Sequence, residues 1–311
     1  MVGWLALIVA GTAAIVWGAE TFAEHLADAS KRLGVTAFAL ALLLAGAEPE
    51  ELATVVTASA RGVDGVAFGD VIGANAAIVT IALGAGAVVT LLPFGRGIRR
   101  YAVGGLAAGT LAAALMWDGN VSRVEGIALV AAYVVFVATI WLLERQPPSL
   151  GEVAELDDDN DSGGRVGRDL GYVFAGLAAL TLGSIALVEG VRRLTDVEAT
   201  QTRLGLTIVG FATAFELVVL AFSASRHGIT EAVVAGVIGS YAYNMTMSLG
   251  AGAIVAPISI SDAGLLRAPT IVMLGLLGVA ILLAMRHSAL GRRESIVLFL
   301  GYPAFVAVAS I

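Results

Sequence analysis

Long apolar stretches alternate with short polar breaks along the whole chain, at about 2–23, 35–60, 65–92, 98–117, 121–143, 170–190, 203–225, 229–256, 265–285 and 294–311. A helix needs about 20 residues to cross the hydrocarbon of a bilayer. Each stretch is therefore long enough to span, and the longer ones can tilt. The pattern predicts an all-α, polytopic membrane protein of about ten transmembrane helices. The first stretch begins at Met1 with no basic segment before it and no small-residue cleavage site after it, so it reads as a retained helix and not a signal peptide.

Composition narrows the picture mainly by exclusion. Of 311 residues, 58% are hydrophobic and 14% charged, against roughly 25% charged in a soluble domain. Ten crossings with short loops leave no room for a separate soluble enzyme domain, so no enzyme is expected. The absence of cysteine excludes a disulfide framework, thiol catalysis and a thiolate metal site. A net charge of −7 argues against a nucleic-acid partner. The expected partners are the lipid bilayer and the ions it separates; no bound cofactor or obligatory protein partner is indicated.

Orientation follows from the basic residues. With loops on alternating sides, Lys31, Arg32, Arg96, Arg99, Arg100, Arg145, Arg165, Arg168, Arg226, Arg286, Arg292 and Arg293 share one face, and the other six of the 18 basic residues share the opposite face. The first face is then cytoplasmic, both termini lie outside, and the segment 144–168, with Asp157, Asp158, Asp159 and Asp161, is an acidic cytoplasmic linker. It separates residues 1–143 from 169–311, five helices each, in an inner or plasma membrane.

The two halves are related. At an offset of 165, Gly18 matches Gly183, Glu24 matches Glu189, Glu51 and Leu52 match Glu216 and Leu217, and Arg61 matches Arg226. After one inserted residue the offset is 166, and Val71-Ile72-Gly73 and the run from Leu83 to Ala87 recur as Val237-Ile238-Gly239 and the run from Leu249 to Ala253. Five crossings per half, an odd number, place the second copy upside down. Inverted repeats with interrupted helices are the architecture of secondary transporters, whose site lies between the repeats near the midplane.

The second and seventh helices carry the informative residues. Gly46-Ala47-Glu48-Pro49-Glu50-Glu51-Leu52 combines a helix-weakening glycine with a proline that removes a donor. A break there would free carbonyls at mid-membrane and turn carboxylates toward that point. Ionised carboxylates in hydrocarbon are costly, so they face a polar cavity or a cation. The seventh helix repeats the design at Gly210 to Glu216, with one Glu. Glu48 and Glu51 share a helical face, whereas Glu50 is turned about 100° from Glu51. Glu51 and Glu216 could instead be protonated packing acids, and Glu48 and Glu50 could line a wet vestibule. Asp70 and Asn75 open the third helix, Ser240 and Asn244 the eighth; either asparagine could serve only an interhelical hydrogen bond. Hard cations such as Ca²⁺ take six to eight oxygen ligands. The three histidines, His25, His227 and His287, sit near helix ends, which disfavours a transition-metal site.

With these residues in place the chain resembles the sodium/calcium exchanger family of the wider cation/calcium antiporter group. That family carries in each half a motif like Gly-Thr-Ser-x-Pro-Glu-Leu, followed by Gly-Ser-Asn or Gly-Ser-Asp. Here Gly46 to Leu52 and Phe211 to Leu217 take the first motif of each half, with Thr213 on the second serine. Gly73-Ala74-Asn75 and Gly239-Ser240-Tyr241 take the later one. The resemblance implies that Glu51, Glu216 and Asn75 bind Ca²⁺, and that hydroxyls and carbonyls nearby, at Ala47, Ala212, Thr213 and Ser240, serve Na⁺. Glu48, Glu50, Asp70 and Asn244 complete the candidate set. The departures are Ala47 and Glu48 for Thr and Ser, Glu50 and Phe215 for proline, and Tyr241 for an acidic or amide ligand. Glu48 is expected to replace the charge lost at Tyr241, keeping three carboxylates with Glu51 and Glu216.

The expected function is exchange of Ca²⁺ for Na⁺ by alternating access. Loss of motif hydroxyls leaves a proton-coupled antiporter as the alternative, with Glu48, Glu50 and Glu51 loading H⁺. A passive channel, a transport-dead relative and an intramembrane protease using Glu50 and Glu51 are further alternatives; the protease would need Arg and His that residues 53–60 and the other mid-spans lack.

Overall fold

A computed structural model describes residues 2–32, 48–144, 166–228 and 230–311. Among them run ten helices that follow the apolar stretches: α1 (Val2–Arg32), α2 (Pro49–Ala60), α3 (Asp64–Val89), α4 (Arg96–Leu115), α5 (Arg123–Glu144), α6 (Val166–Leu194), α7 (Glu198–Arg226), α8 (230–255), α9 (Gly264–His287) and α10 (Arg292–Ala309). Six of them, α1, α3, α5, α6, α7 and α9, are each long and apolar enough to cross a bilayer. The expected N-terminal part of the second helix and most of the acidic segment 144–168 lie outside the described residues.

The halves are inverted, and the contacts make this visible. Where α1 and α6 cross, a methyl group added at Gly11 would lie 2.7 Å from the Gly183 carbonyl, and one at Gly18 would lie 2.8 Å from the Gly176 carbonyl. Gly11 and Gly176, like Gly18 and Gly183, are equivalent at the 165 offset, so the first helices of the two halves run antiparallel about a pseudo-two-fold axis. The loops repeat the relation. Leu92-Pro93 after α3 pairs antiparallel with Ala289-Leu290 before α10, and Asn120-Val121 before α5 pairs with Ile258-Ser259 after α8. One pair closes each end of the bundle, as an odd number of crossings per half requires.

At the centre α3 is the most buried span. It packs against α7, while α2 packs against α8; these are the same contact in the two halves. Lipid tails are as apolar as the helices, so packing and small residues must hold this crossing together. Gly69 of α3 lies so close to α7 that an added methyl would be 2.6 Å from the Leu206 nitrogen. Both central helices loosen into a π-helical turn at equivalent places, Ile78–Ala82 in α3 and Asn244–Ser248 in α8. Thr80 within the first donates back to the Ala76 carbonyl at 2.6 Å, and Thr246 within the second does the same to Ala242. A third π-helical turn, Gly205–Val209, occupies α7.

One register differs from the sequence reading. α2 and the last segment of α7, Phe215–Arg226, both end in a cap residue followed by a left-handed glycine, Arg61 then Gly62 (φ 64°) and His227 then Gly228 (φ 81°). The offset is already 166 here, so His227, and not Arg226, occupies the place of Arg61. Both segments are 12 residues long, so the extra residue falls before Phe215.

Gly69→Ala should insert a methyl into backbone at the α3–α7 crossing, costing about 1–3 kcal/mol and lowering the melting temperature of the detergent-solubilised protein. Gly171→Ala, with open space around it, should leave it unchanged. Equal melting temperatures would contradict the close crossing.

Candidate cation site

The residue before a proline is disfavoured in helical conformation. Accordingly Glu48, before Pro49, is non-helical at φ −110°, ψ 84°, and α2 begins at Pro49, where the missing amide proton has no helical acceptor to lose. Glu50 and Glu51 fall in the first turn of that helix. In the other half α7 is interrupted at Ala214 and restarts at Phe215, with Glu216 in the first turn. Glu50, Glu51 and Glu216 thus each sit in the first turn of a helical segment, at the positive end of its dipole.

The two breaks and α3 bring five carboxyl groups together. Ligand oxygens of Glu48, Glu50 and Glu51 lie within 4.8 Å of one another. Glu216 is within electrostatic reach of Glu50, and Asp70 of Glu51. All five side chains are at most 5% exposed. No Lys or Arg among the described residues bonds to Glu48, Glu50, Glu51 or Asp70; the ion pairs involve Glu189 at a helix end. Hydroxyls supply part of the surroundings: Thr213 donates to Asp70 Oδ1 at 2.8 Å, and Ser240 donates to Glu48.

Much buried polar capacity remains open. Both oxygens of Glu51, one each of Glu50 and Asp70, both amide atoms of Asn75 and Asn244, and the hydroxyls of Thr54, Ser248 and Tyr241 have no hydrogen-bond partner. Buried polar atoms are normally paired. Such a concentration of unpaired oxygens suits a hard cation, which binds carboxylates, amide carbonyls and hydroxyls.

The sequence-derived candidates distribute as follows. Glu48, Glu50, Glu51, Asp70, Thr213, Glu216 and Ser240 are brought together. Asn75 is buried on α3, and Asn244 is buried where α8 enters its π-helical turn, the part of α8 that packs on α2. Ala212 lines an apolar crevice between α1, α7 and α10, and Ala47 lies outside the described residues. Tyr241 is fully buried with its ring against Gly109 of α4, where a methyl group would meet its hydroxyl at 2.7 Å. Glu50, turned about 100° from Glu51 on a helical wheel, is only 2% exposed and joins the cluster, so the group numbers five acids. Thr54 went unrecognised although it lies one turn beyond Glu51. Tyr133 and Tyr243, edge to face at 5.2 Å and within reach of Glu48, had no signal in the sequence.

The sodium/calcium exchanger protein family matches residues 3–142 and 169–311, and the chain belongs to that family, a class of membrane antiporters that exchange cations. An uncharacterized membrane protein of Methanocaldococcus jannaschii is 22% identical over 99% of this chain and 95% of its own length. The inner membrane protein YrbG of Escherichia coli is 23% identical over 97% and 95%. The fold is that of the sodium–calcium exchanger NCX_Mj, whose structure soaked with 2.5 mM Na⁺ and 0.1 mM Ca²⁺ superposes with a TM-score of 0.65 at 18% identity, covering 99% of this chain and 98% of that one.

Because the acids repel one another, neutralising one should stabilise the empty protein. Glu51→Gln is expected to raise the melting temperature in chelator and to abolish the upward shift that millimolar Ca²⁺ gives the unsubstituted protein through ligand linkage. An unchanged Ca²⁺ shift in that variant would remove Glu51 from the site.

Proposed function

We propose that this protein exchanges Ca²⁺ for Na⁺ across an inner or plasma membrane by alternating access at the buried acid cluster, with both termini outside and segment 144–168 cytoplasmic. The observation that carries the proposal is the meeting of buried carboxylates from two helix segments, Glu48, Glu50 and Glu51 on one side and Glu216 on the other, with no Lys or Arg bonded to the first three among the described residues. Loaded with one divalent ion or several monovalent ones, the cluster is neutralised; empty, it leaves unpaired charge that resists passage through the low-dielectric interior. The two loads exclude each other because they use the same oxygens, and that exclusion couples the fluxes. Glu51, Glu216 and Asn75 are the core ligands. Glu48 supplies the charge absent at Tyr241, a role supported by its bond to Ser240, the neighbour of Tyr241 on α8.

Proton coupling is the second reading, and the charge count favours it. Five carboxylates exceed the two charges of one Ca²⁺, so other cations or protons must occupy the remainder. A proteolytic role finds no support: His25 and His227 bond to the Thr21 and Ser223 carbonyls of their own helices.

The test is ⁴⁵Ca²⁺ uptake into proteoliposomes loaded with Na⁺, compared with Na⁺-free vesicles and vesicles carrying a pH gradient. Uptake should require internal Na⁺ and be lost in Glu216→Gln. Uptake driven by the pH gradient alone would move the protein to the proton-coupled reading. Flux without any counter-ion dependence would indicate a channel. Unchanged uptake by Glu48→Gln would reject the compensating role of Glu48.

A further inference from the structure

Among the described residues, the same inter-repeat contact is closed on one face of the molecule and open on the other. On the closed face α2 packs along α6, and Arg61, at the end of α2, donates to Glu189 of α6 at 3.2 Å. On the opposite face the repeat places Glu24 of α1 at the position of Glu189, and the Arg226–His227 end of α7 at that of Arg61. No pair forms there. Glu24, Arg226 and His227 are all exposed, Arg226 lies over the ring of Phe222 at 5.9 Å, and His227 bonds back to the Ser223 carbonyl at 2.9 Å. The Phe215–Arg226 segment makes no packing on α1 comparable to that of α2 on α6. Alongside, an open apolar crevice of about 870 Å³ runs between α1, α7 and α10 and reaches this segment at its first residue, Phe215, with Trp17 of α1 also in its lining.

We propose that Arg61–Glu189 and Arg226–Glu24 are alternate latches, one made on each face in turn, and that these four residues, outside the cation site, are needed for turnover. This rests on the alternating-access reading above. In the opposite state the crevice closes, Glu24 meets Arg226, and Arg61 releases Glu189. The sequences flanking the two glutamates suit the alternation. Glu189 also accepts from Arg192 at 2.9 Å and Arg193 at 2.7 Å on its own helix, so it stays partnered when Arg61 leaves. The residues 165 positions earlier are Ala27 and Asp28, so Glu24 lacks those intrahelical cations and the arginine of α7 is the complementary charge. His227 holds the cap position equivalent to Arg61, but Arg226 carries a permanent charge on a longer side chain. Exposed ion pairs are weak, which suits contacts that must break in every cycle.

Glu24→Gln and Arg226→Gln should each slow ⁴⁵Ca²⁺ flux about two- to fivefold, although neither residue is paired in this structure. The exchanged pair, Glu24→Arg with Arg226→Glu, should restore it. State populations are read separately by cross-linking Trp17→Cys to Phe215→Cys with a short bismaleimide, on a chain that has no cysteine of its own. Adding Arg61→Gln should raise the cross-linking yield and adding Arg226→Gln should lower it. Yields and rates indifferent to these substitutions would overturn the latches even where Ca²⁺ flux is normal. Yields that respond in vesicles showing no flux would support the latches while overturning the exchange reading.

Discussion

Acids held out of water with no base beside them set the terms for the rest of this structure. A folded chain can keep an ionised carboxylate in its interior only with a counter-charge, hydrogen bonds or a proton. Here Glu48, Glu50, Glu51 and Asp70 have hydroxyls and helix N-termini around them but no Arg or Lys among the described residues. The positive ends of two interrupted helices lessen the strain and do not remove it, since each amounts to about half a charge. The balance must come from outside the protein, and a membrane offers cations on both sides. In the proposed exchange, mobile counter-charge turns a costly buried cluster into a site whose occupancy decides when the protein can change shape.

In the proposed exchange, the inverted repeat is what lets one cluster serve both faces. Because α1 and α6 cross through pairs of glycines equivalent by the two-fold, and because the loop strands pair once at each end, the scaffold is nearly indifferent to which half is up. The site itself is not symmetric. One half contributes four acids, Glu48, Glu50, Glu51 and Asp70, and the other contributes Glu216, with Thr213 donating to Asp70. Near-symmetry of the frame makes two conformations comparable in energy, while asymmetry at the centre concentrates the charge on one side of the axis. The π-helical turns in α3, α7 and α8 add local slack in the buried helices, in segments where the regular hydrogen-bond ladder is already displaced.

The hydropathy pattern made the ten-helix layout legible, because a span needs a fixed length of apolar residues and the polar breaks between them are short. The breaks were legible for the same kind of reason: Pro49 and Gly46 are helix-weakening residues beside carboxylates. Glu50 was a candidate whose direction a helical wheel left open; at the first turn after Pro49, with Glu48 non-helical, it turns inward with its neighbours. Asp70 was recognised as a candidate but not as a member of one charged group, since its proximity to Glu51 depends on how α2 packs on α3. The register of α7 eluded the sequence because the adjacent Arg226 and His227 both suit the end of the helix and only the left-handed Gly228 shows which of them is the cap. Tyr133 reaches the site from α5, and no local pattern announces a contact of that kind.

The central claim is that one set of buried oxygens takes Ca²⁺ or a competing monovalent cation. It is tested most directly by calorimetric titration of Ca²⁺ into the purified protein at a series of Na⁺ concentrations and pH values, in buffers of different protonation enthalpy. The account predicts that apparent Ca²⁺ affinity falls as Na⁺ or H⁺ rises, with the buffer dependence counting the protons displaced. Ca²⁺ binding indifferent to both ions, or no Ca²⁺ binding under any condition, would contradict it.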